Sequence, residues 1–296
     1  MLFDGHGDVW TDVTCKRVDN HETDIFRKYH LKKFQAGKVT GGIFVIWIDP
    51  PYDKDPAARS KQIVQSIKEE MIDSADLLNF VTKFEDFEKG TKAGKINVVT
   101  GIEGLSQIGE DIDMIDYFYN EVGARHAMLT WNELNALATG CPQDPSRGLT
   151  EAGKLAVKRM EKLGMVLDVS HLNDKSFWDL MSIATTPVIA SHSNSRTVCP
   201  AKRNLTDDML KEIAKTGGLV GMNSLRVNLS AKNAKNRMFR SCVTIWTISQ
   251  TSLVSTISVW AMTSTTIWAV KRSVHSAPIW TLQVQTVFPM KQKRTT

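Results

Sequence analysis

Five side chains able to bind a metal ion stand at the ends of short apolar runs: His6 and Asp8 in DGHGD, Glu103 in GIEG, His171 in DVSH and His192 in ASHS. His6 and Asp8 are two positions apart, so on an extended strand they point to the same side. Glu103 follows the apolar VVTGI and would be costly to bury without a partner. Taken singly, each has a plainer reading. Asp8 could be a turn residue or helix cap, and each histidine a hydrogen-bonded core residue. Taken together, three imidazoles and two carboxylates form a donor set that Zn²⁺ accepts. The number also suits two ions sharing one carboxylate, a clamp that activates a hydroxide and polarises a carbonyl. The chemistry this pattern points to is hydrolysis.

The elements that must position these residues alternate along the chain. Strand-like runs fall at 2–8, 41–49, 96–102, 126–130, 165–170, 187–191 and 219–223. They are short and apolar throughout, as parallel strands covered on both faces are. Amphipathic stretches lie between them. In 150–163, the residues Ala152, Leu155, Ala156, Met160 and Leu163 mark an expected buried face. In 206–216, Thr206 suits the N-cap, Asp207 and Asp208 the first turn, and Gly217 the C-terminal stop. Residues 56–94 read as two long helical segments. Repeated βα units allow a doubly wound sheet or a (β/α)8 TIM barrel. No GxGxxG loop follows any strand, which favours the barrel. Seven strands are visible, and the last strand of the barrel is missing or replaced.

The chain of 296 residues is long enough for one such barrel, and its 42% hydrophobic content is that of a soluble domain. Cys15, Cys141, Cys199 and Cys242 form no CxxC pair, which fits a reducing compartment. The opening LFDGHGDV reads as a strand rather than a leader, and no apolar run is long enough to span a bilayer. A cytoplasmic location with no membrane partner is expected. The net charge of +5 conceals an asymmetry: all 32 acidic residues lie within 1–212, whereas 213–296 hold 11 Lys or Arg and no acid.

With these motifs in place, residues 1–230 resemble the membrane dipeptidase (renal dipeptidase, peptidase M19) family of zinc hydrolases. The resemblance is densest in DGHGD, GIEG, GLTEAGKLAVKRMEKLGMVLDVSHLND and PVIASHSNSRTVCPAKRNLTDDMLKEIAKTGG. It implies a (β/α)8 barrel holding two zinc ions, one by His6, Asp8 and Glu103 and the other by Glu103, His171 and His192, with Glu103 bridging. It implies a dipeptide as substrate, and it admits a homodimer. Arg203 in AKRN matches the family arginine that binds the substrate carboxylate, a task suited to a guanidinium fork. Trp131 in LTWN stands where many relatives carry a histidine that orients the scissile carbonyl, which marks a subfamily difference at a substrate-binding position.

From residue 231 the resemblance stops, and 231–296 are read as a separate tail. No glycine occurs in 222–296, and Ser and Thr make up 19 of the 56 residues from 241 onward. Reading the last base of each codon with the first two of the next forces several residues. Trp246–Thr247 yields Asp, Trp260–Ala261 Gly, Met262–Thr263 Asp and Trp268–Ala269 Gly. These fall where the family has a DHIG and DFD signature around its last strand. The tail is therefore read as out of frame, with the frame lost between residues 226 and 238. The frameshift removes the family's acidic residue that moves the proton between water and leaving amine. Two other readings differ in class. One is another amidohydrolase-like metal hydrolase, against which Glu103 at the bridging position argues. The other is an inactive barrel whose basic tail binds nucleic acid, against which the lack of aromatics spaced among clustered Lys and Arg argues. No nucleic-acid partner is expected.

Overall fold

The computed structural model describes residues 2–223 and the strands Val259–Met262 and Ile267–Val270. The chain divides into two compact units, Met1–Ile189 and Ala190–Thr296.

The first unit begins β1 (Phe3–Gly7), α1 (Val9–Asn20), α2 (Leu31–Gly37), β2 (Gly41–Trp47) and α3 (Pro56–Asp73). It continues through β3 (Leu78–Phe80), α4 (Phe84–Lys92), β4 (Ile96–Glu103), α5 (Met114–Glu121) and β5 (Ala124–Met128). It closes with α6 (Glu151–Lys162), β6 (Val166–Asp168), α7 (Asp174–Met181) and β7 (Val188–Ile189). The strands form one parallel sheet in the order β1-β2-β4-β5-β6-β7, with β3 also on β4. β2 runs beside β4 from Gly41↔Asn97 to Trp47↔Glu103, so the two strands end level. β3 pairs with the first residues of β4 and β5 with its last. The result is an α/β parallel half-barrel, the class expected from the alternation of strands and helices.

β2 and β4 are almost wholly buried, which is why their sequences are apolar without alternation. Above β2, Trp10 of α1 meets Phe44 edge-on at 5.4 Å between ring centres and stacks on Phe80 at 5.9 Å. Phe26 and Phe34 close on the same Phe44 ring at 5.9 and 5.5 Å. Phe80 belongs to β3, a strand of three residues inside the segment expected to be two long helices. The expected face of α6 also needs correcting. Gly153, Ala156, Val157 and Met160 are buried, whereas Leu155 is 56% exposed. The helix is rotated so that Val157 takes the place expected of Leu155. Thr150 caps it, its hydroxyl accepting from Gly153 N at 3.0 Å.

In the second unit, Ala190 bridges Val220 of β8 (Val220–Met222) in parallel. α8 (Asp207–Lys215) starts at Thr206, whose Oγ1 accepts from Met209 N at 3.2 Å, and stops before Gly217 at φ +78°. β9 (Val259–Met262) lies parallel on β8, and β10 (Ile267–Val270) is antiparallel to β9. Both strands fall in the stretch read as an out-of-frame tail. The boundary at residue 230 and the 226–238 window lie outside the described residues. Among the described residues, no helix is long and apolar enough to cross a membrane.

Candidate metal centre

The C-terminal ends of parallel strands are where an α/β barrel gathers its functional side chains. His6 lies on β1 with Asp8 just beyond it, Glu103 is the last residue of β4, and His171 follows β6. The first unit brings all four together. Glu103 divides its carboxylate between two imidazoles: Oε2 lies 3.3 Å from His6 Nε2, and Oε1 lies 2.9 Å from His171 Nε2. Asp8 Oδ1 stands 3.8 Å from His6 Nε2, with 61% of its side chain exposed. Glu103 and His171 are buried. Gly104 makes the turn that lets Glu103 face inward. Its φ is +82°, and a Cβ there would lie 2.9 Å from the backbone nitrogen of Trp131.

The electrostatics favour a positive charge at this point. Burial alone would lower the His6 pKa, but the Glu103 carboxylate, with Asp8 and Asp168 behind it, raises it to about 9. Asp4, on the same strand, accepts a hydrogen bond from His6 N at 3.2 Å, and burial lifts its pKa to about 6. Two ligands on one zinc ion stand about 3.3 Å apart when each bond is about 2.0–2.1 Å and the angles are tetrahedral. The His6–Glu103 spacing matches that value, and the N and O donors suit the ion. The residues fit a metal.

The second unit carries His192 and Arg203. His192 Nδ1 is 2.8 Å from Ser191 Oγ. Arg203 donates from Nη2 to the His192 carbonyl at 3.1 Å and from Nη1 to Ser193 Oγ at 2.8 Å. Asn223 Nδ2 also reaches the His192 carbonyl, at 3.5 Å. The arginine expected to meet a substrate carboxylate is thus tied to the backbone of the histidine expected to meet a metal.

Trp131 stands in the first unit, 6.2 Å from the His171 ring and 5.2 Å from Trp47. Trp47 ends β2 in register with Glu103, so the Trp131–Trp47 ring contact starts from the strand position beside that carboxylate. Three groups around the centre were not singled out from the sequence: Trp47, Asn132 and the buried pair His126–Asp168. Nε2 of His126 meets Asp168 Oδ2 at 2.7 Å, on adjacent strands. Trp47 had a usable signal, an aromatic at the end of an apolar run. Cys15 is not a competing nucleophile. Burial and the charge of Asp49 push its thiol up to about 11.

A model of the family described as membrane dipeptidase (peptidase family M19) matches residues 1–259, beyond the limit of 230 read from the motifs. A protein of Acinetobacter calcoaceticus, described as an uncharacterized protein in the PQQ-III 3′ region, is 32% identical over 256 residues, covering 75% of this chain and 79% of its own. A solved M19 metallopeptidase, dipeptidase AC, superposes with a TM-score of 0.76 at 24% identity, covering 84% of this chain and 81% of that one. A metallopeptidase from Rhodobacter sphaeroides, solved with a phosphinate mimic of the dipeptide L-Ala-D-Ala, gives a TM-score of 0.75 at 22% identity, covering 84% and 82%.

Proposed function

The chain belongs to the membrane dipeptidase family, peptidase family M19, and on that premise we propose that it carries the zinc centre of a dipeptidase without the proton-transfer group. The observation that supports this best is the division of the Glu103 carboxylate between His6 and His171. His6, Asp8 and Glu103 would hold one zinc ion, and Glu103, His171 and His192 would hold a second. When bound, such a pair supplies a hydroxide nucleophile at neutral pH and polarises the scissile carbonyl. Arg203 binds the C-terminal carboxylate of the dipeptide through its planar fork. Trp131 and Trp47 exclude water on one side of the bond to be cut.

The group that would carry the proton from attacking water to leaving amine is absent, because no Asp or Glu follows residue 212. The reading frame changes between residues 226 and 238, and the family's last-strand acid lies in the other frame. The chain therefore binds zinc and hydrolyses dipeptides poorly. It works in the cytoplasm, without a membrane or nucleic-acid partner, and a homodimer is the assembly to look for.

Zinc-dependent turnover of a dipeptide panel by sequence-verified full-length protein tests this, with N-acyl amino acids and lactones alongside. Bound zinc with little turnover is expected. Turnover at a family-typical rate would overturn the impairment, and preference for a lactone would overturn the substrate class. Sequencing the gene tests the frame, since a stop codon in the alternative frame would rule it out.

A further inference from the structure

We propose that Asn132 is a positioning residue that sets the tautomer and ring orientation of His171. The inference rests on the reading of His171 as a metal ligand. Asn132 Oδ1 lies 2.9 Å from His171 Nδ1. An amide oxygen only accepts, so Nδ1 carries a hydrogen and, in the neutral ring that a metal requires, Nε2 presents its lone pair. That lone pair faces Glu103 Oε1 at 2.9 Å. A lone pair and a carboxylate oxygen at this distance repel unless a cation or a proton lies between them. Asn132 thereby turns Nε2 toward Glu103, where either a proton or a metal ion can lie between the two.

His171 itself needs such a hold. Its φ is +75°, in the left-handed region that a residue with a side chain rarely occupies. Two restraints oppose relaxation, and both come from one loop. Cys141 N donates to the His171 carbonyl at 2.7 Å, and the Thr139 carbonyl accepts from Asn173 N at 3.0 Å. Asn132 holds the ring at the other end of the same loop. The loop is braced internally. Asn135 Nδ2 donates to the Leu129 carbonyl at 2.8 Å and to Glu133 Oε1 at 2.9 Å. Gln143 Nε2 donates to the Asn132 carbonyl at 2.9 Å. Asn132 therefore meets His171 from a fixed backbone. An acceptor on the far nitrogen of a ligating histidine is a general device for fixing its geometry and raising its basicity.

The test compares the full chain with Asn132→Leu, Asn132→Asp and His171→Ala. Each is stripped of metal and titrated with zinc against a chromophoric chelator. Selectively ¹⁵N-labelled histidines report the tautomer of the metal-free proteins, and the signal lost in His171→Ala assigns residue 171. Asn132→Leu is expected to weaken zinc binding about 10–100-fold and to move His171 away from the Nδ1–H form. Asn132→Asp keeps the acceptor and should keep both the affinity and the tautomer. A leucine variant with unchanged affinity and tautomer overturns the proposal. So does an aspartate variant that loses affinity, because the amide would then be acting as a donor. The aspartate result decides the matter even where the leucine variant fails to fold. If His171→Ala leaves zinc binding unchanged, the ligand assignment fails and this inference fails with it. If His171→Ala loses zinc but Asn132→Leu does not, only this inference fails.

Discussion

Glu103 holds the His6 imidazole at 3.3 Å, and although burial opposes it, this carboxylate together with Asp8 and Asp168 raises the histidine's pKa to about 9. Because the folded value lies above the ordinary 6.5, protonated His6 stabilises the metal-free fold below about pH 6.5, and that contribution is lost as pH rises through about 9. Zinc needs the ring neutral, so the trend for metal is the reverse. Affinity should rise with pH across the same window, by up to about tenfold per pH unit for the one proton displaced. Competition titrations at stepped pH measure the slope, and a flat profile would show that His6 is not a ligand.

Removing the shared carboxylate should do more than removing any one imidazole. In Glu103→Gln the charge that faces both His6 and His171 is gone. The loss in zinc affinity should exceed the about 10–100-fold that supporting groups cost, and the His6 pKa should fall. Retention of zinc by this variant, measured by metal analysis after dialysis, would argue against a bridging role.

The buried pair behind the centre gives a separate test. Asp168 accepts from His126 at 2.7 Å and from Ser170 N at 2.8 Å. In Asp168→Ala both partners lose that acceptor in the interior, at about 1–3 kcal/mol each. Urea unfolding should show the loss. The His6 pKa should fall as well, since Asp168 contributes to raising it.

Core packing predicts a contrast between two apolar positions. Phe44 is fully buried among Trp10, Phe26 and Phe34. Phe44→Ala should cost about 3–5 kcal/mol. Leu155, at 56% exposure, should cost no more than about 0.5 kcal/mol on truncation. Equal effects in urea unfolding would contradict the orientation of α6.

These two residues also show what could be read from the chain alone. Strands such as 41–47 and 96–103 are legible because burial on both faces demands an unbroken apolar run. β3 was hidden because three residues carry no periodicity, and Phe80 is needed for a reason visible only in space, its stacking on Trp10. The face of α6 was misjudged because Leu155 and Val157 are both apolar, and only packing decides between them. The positions of His6, Asp8, Glu103 and His171 at strand ends could be anticipated, since polar residues closing apolar runs stand out. Asn132 could not. Its meaning depends on a contact across 39 residues of chain with a backbone conformation at His171 that no local pattern announces.

The most direct test is the zinc content of sequence-verified full-length protein after equilibration with buffered zinc, measured beside Glu103→Gln. Two zinc ions per chain are predicted for the unaltered protein, with both lost in the variant. A chain that binds no zinc, or a variant that binds as much as the parent, would contradict a centre built on the two oxygens of Glu103.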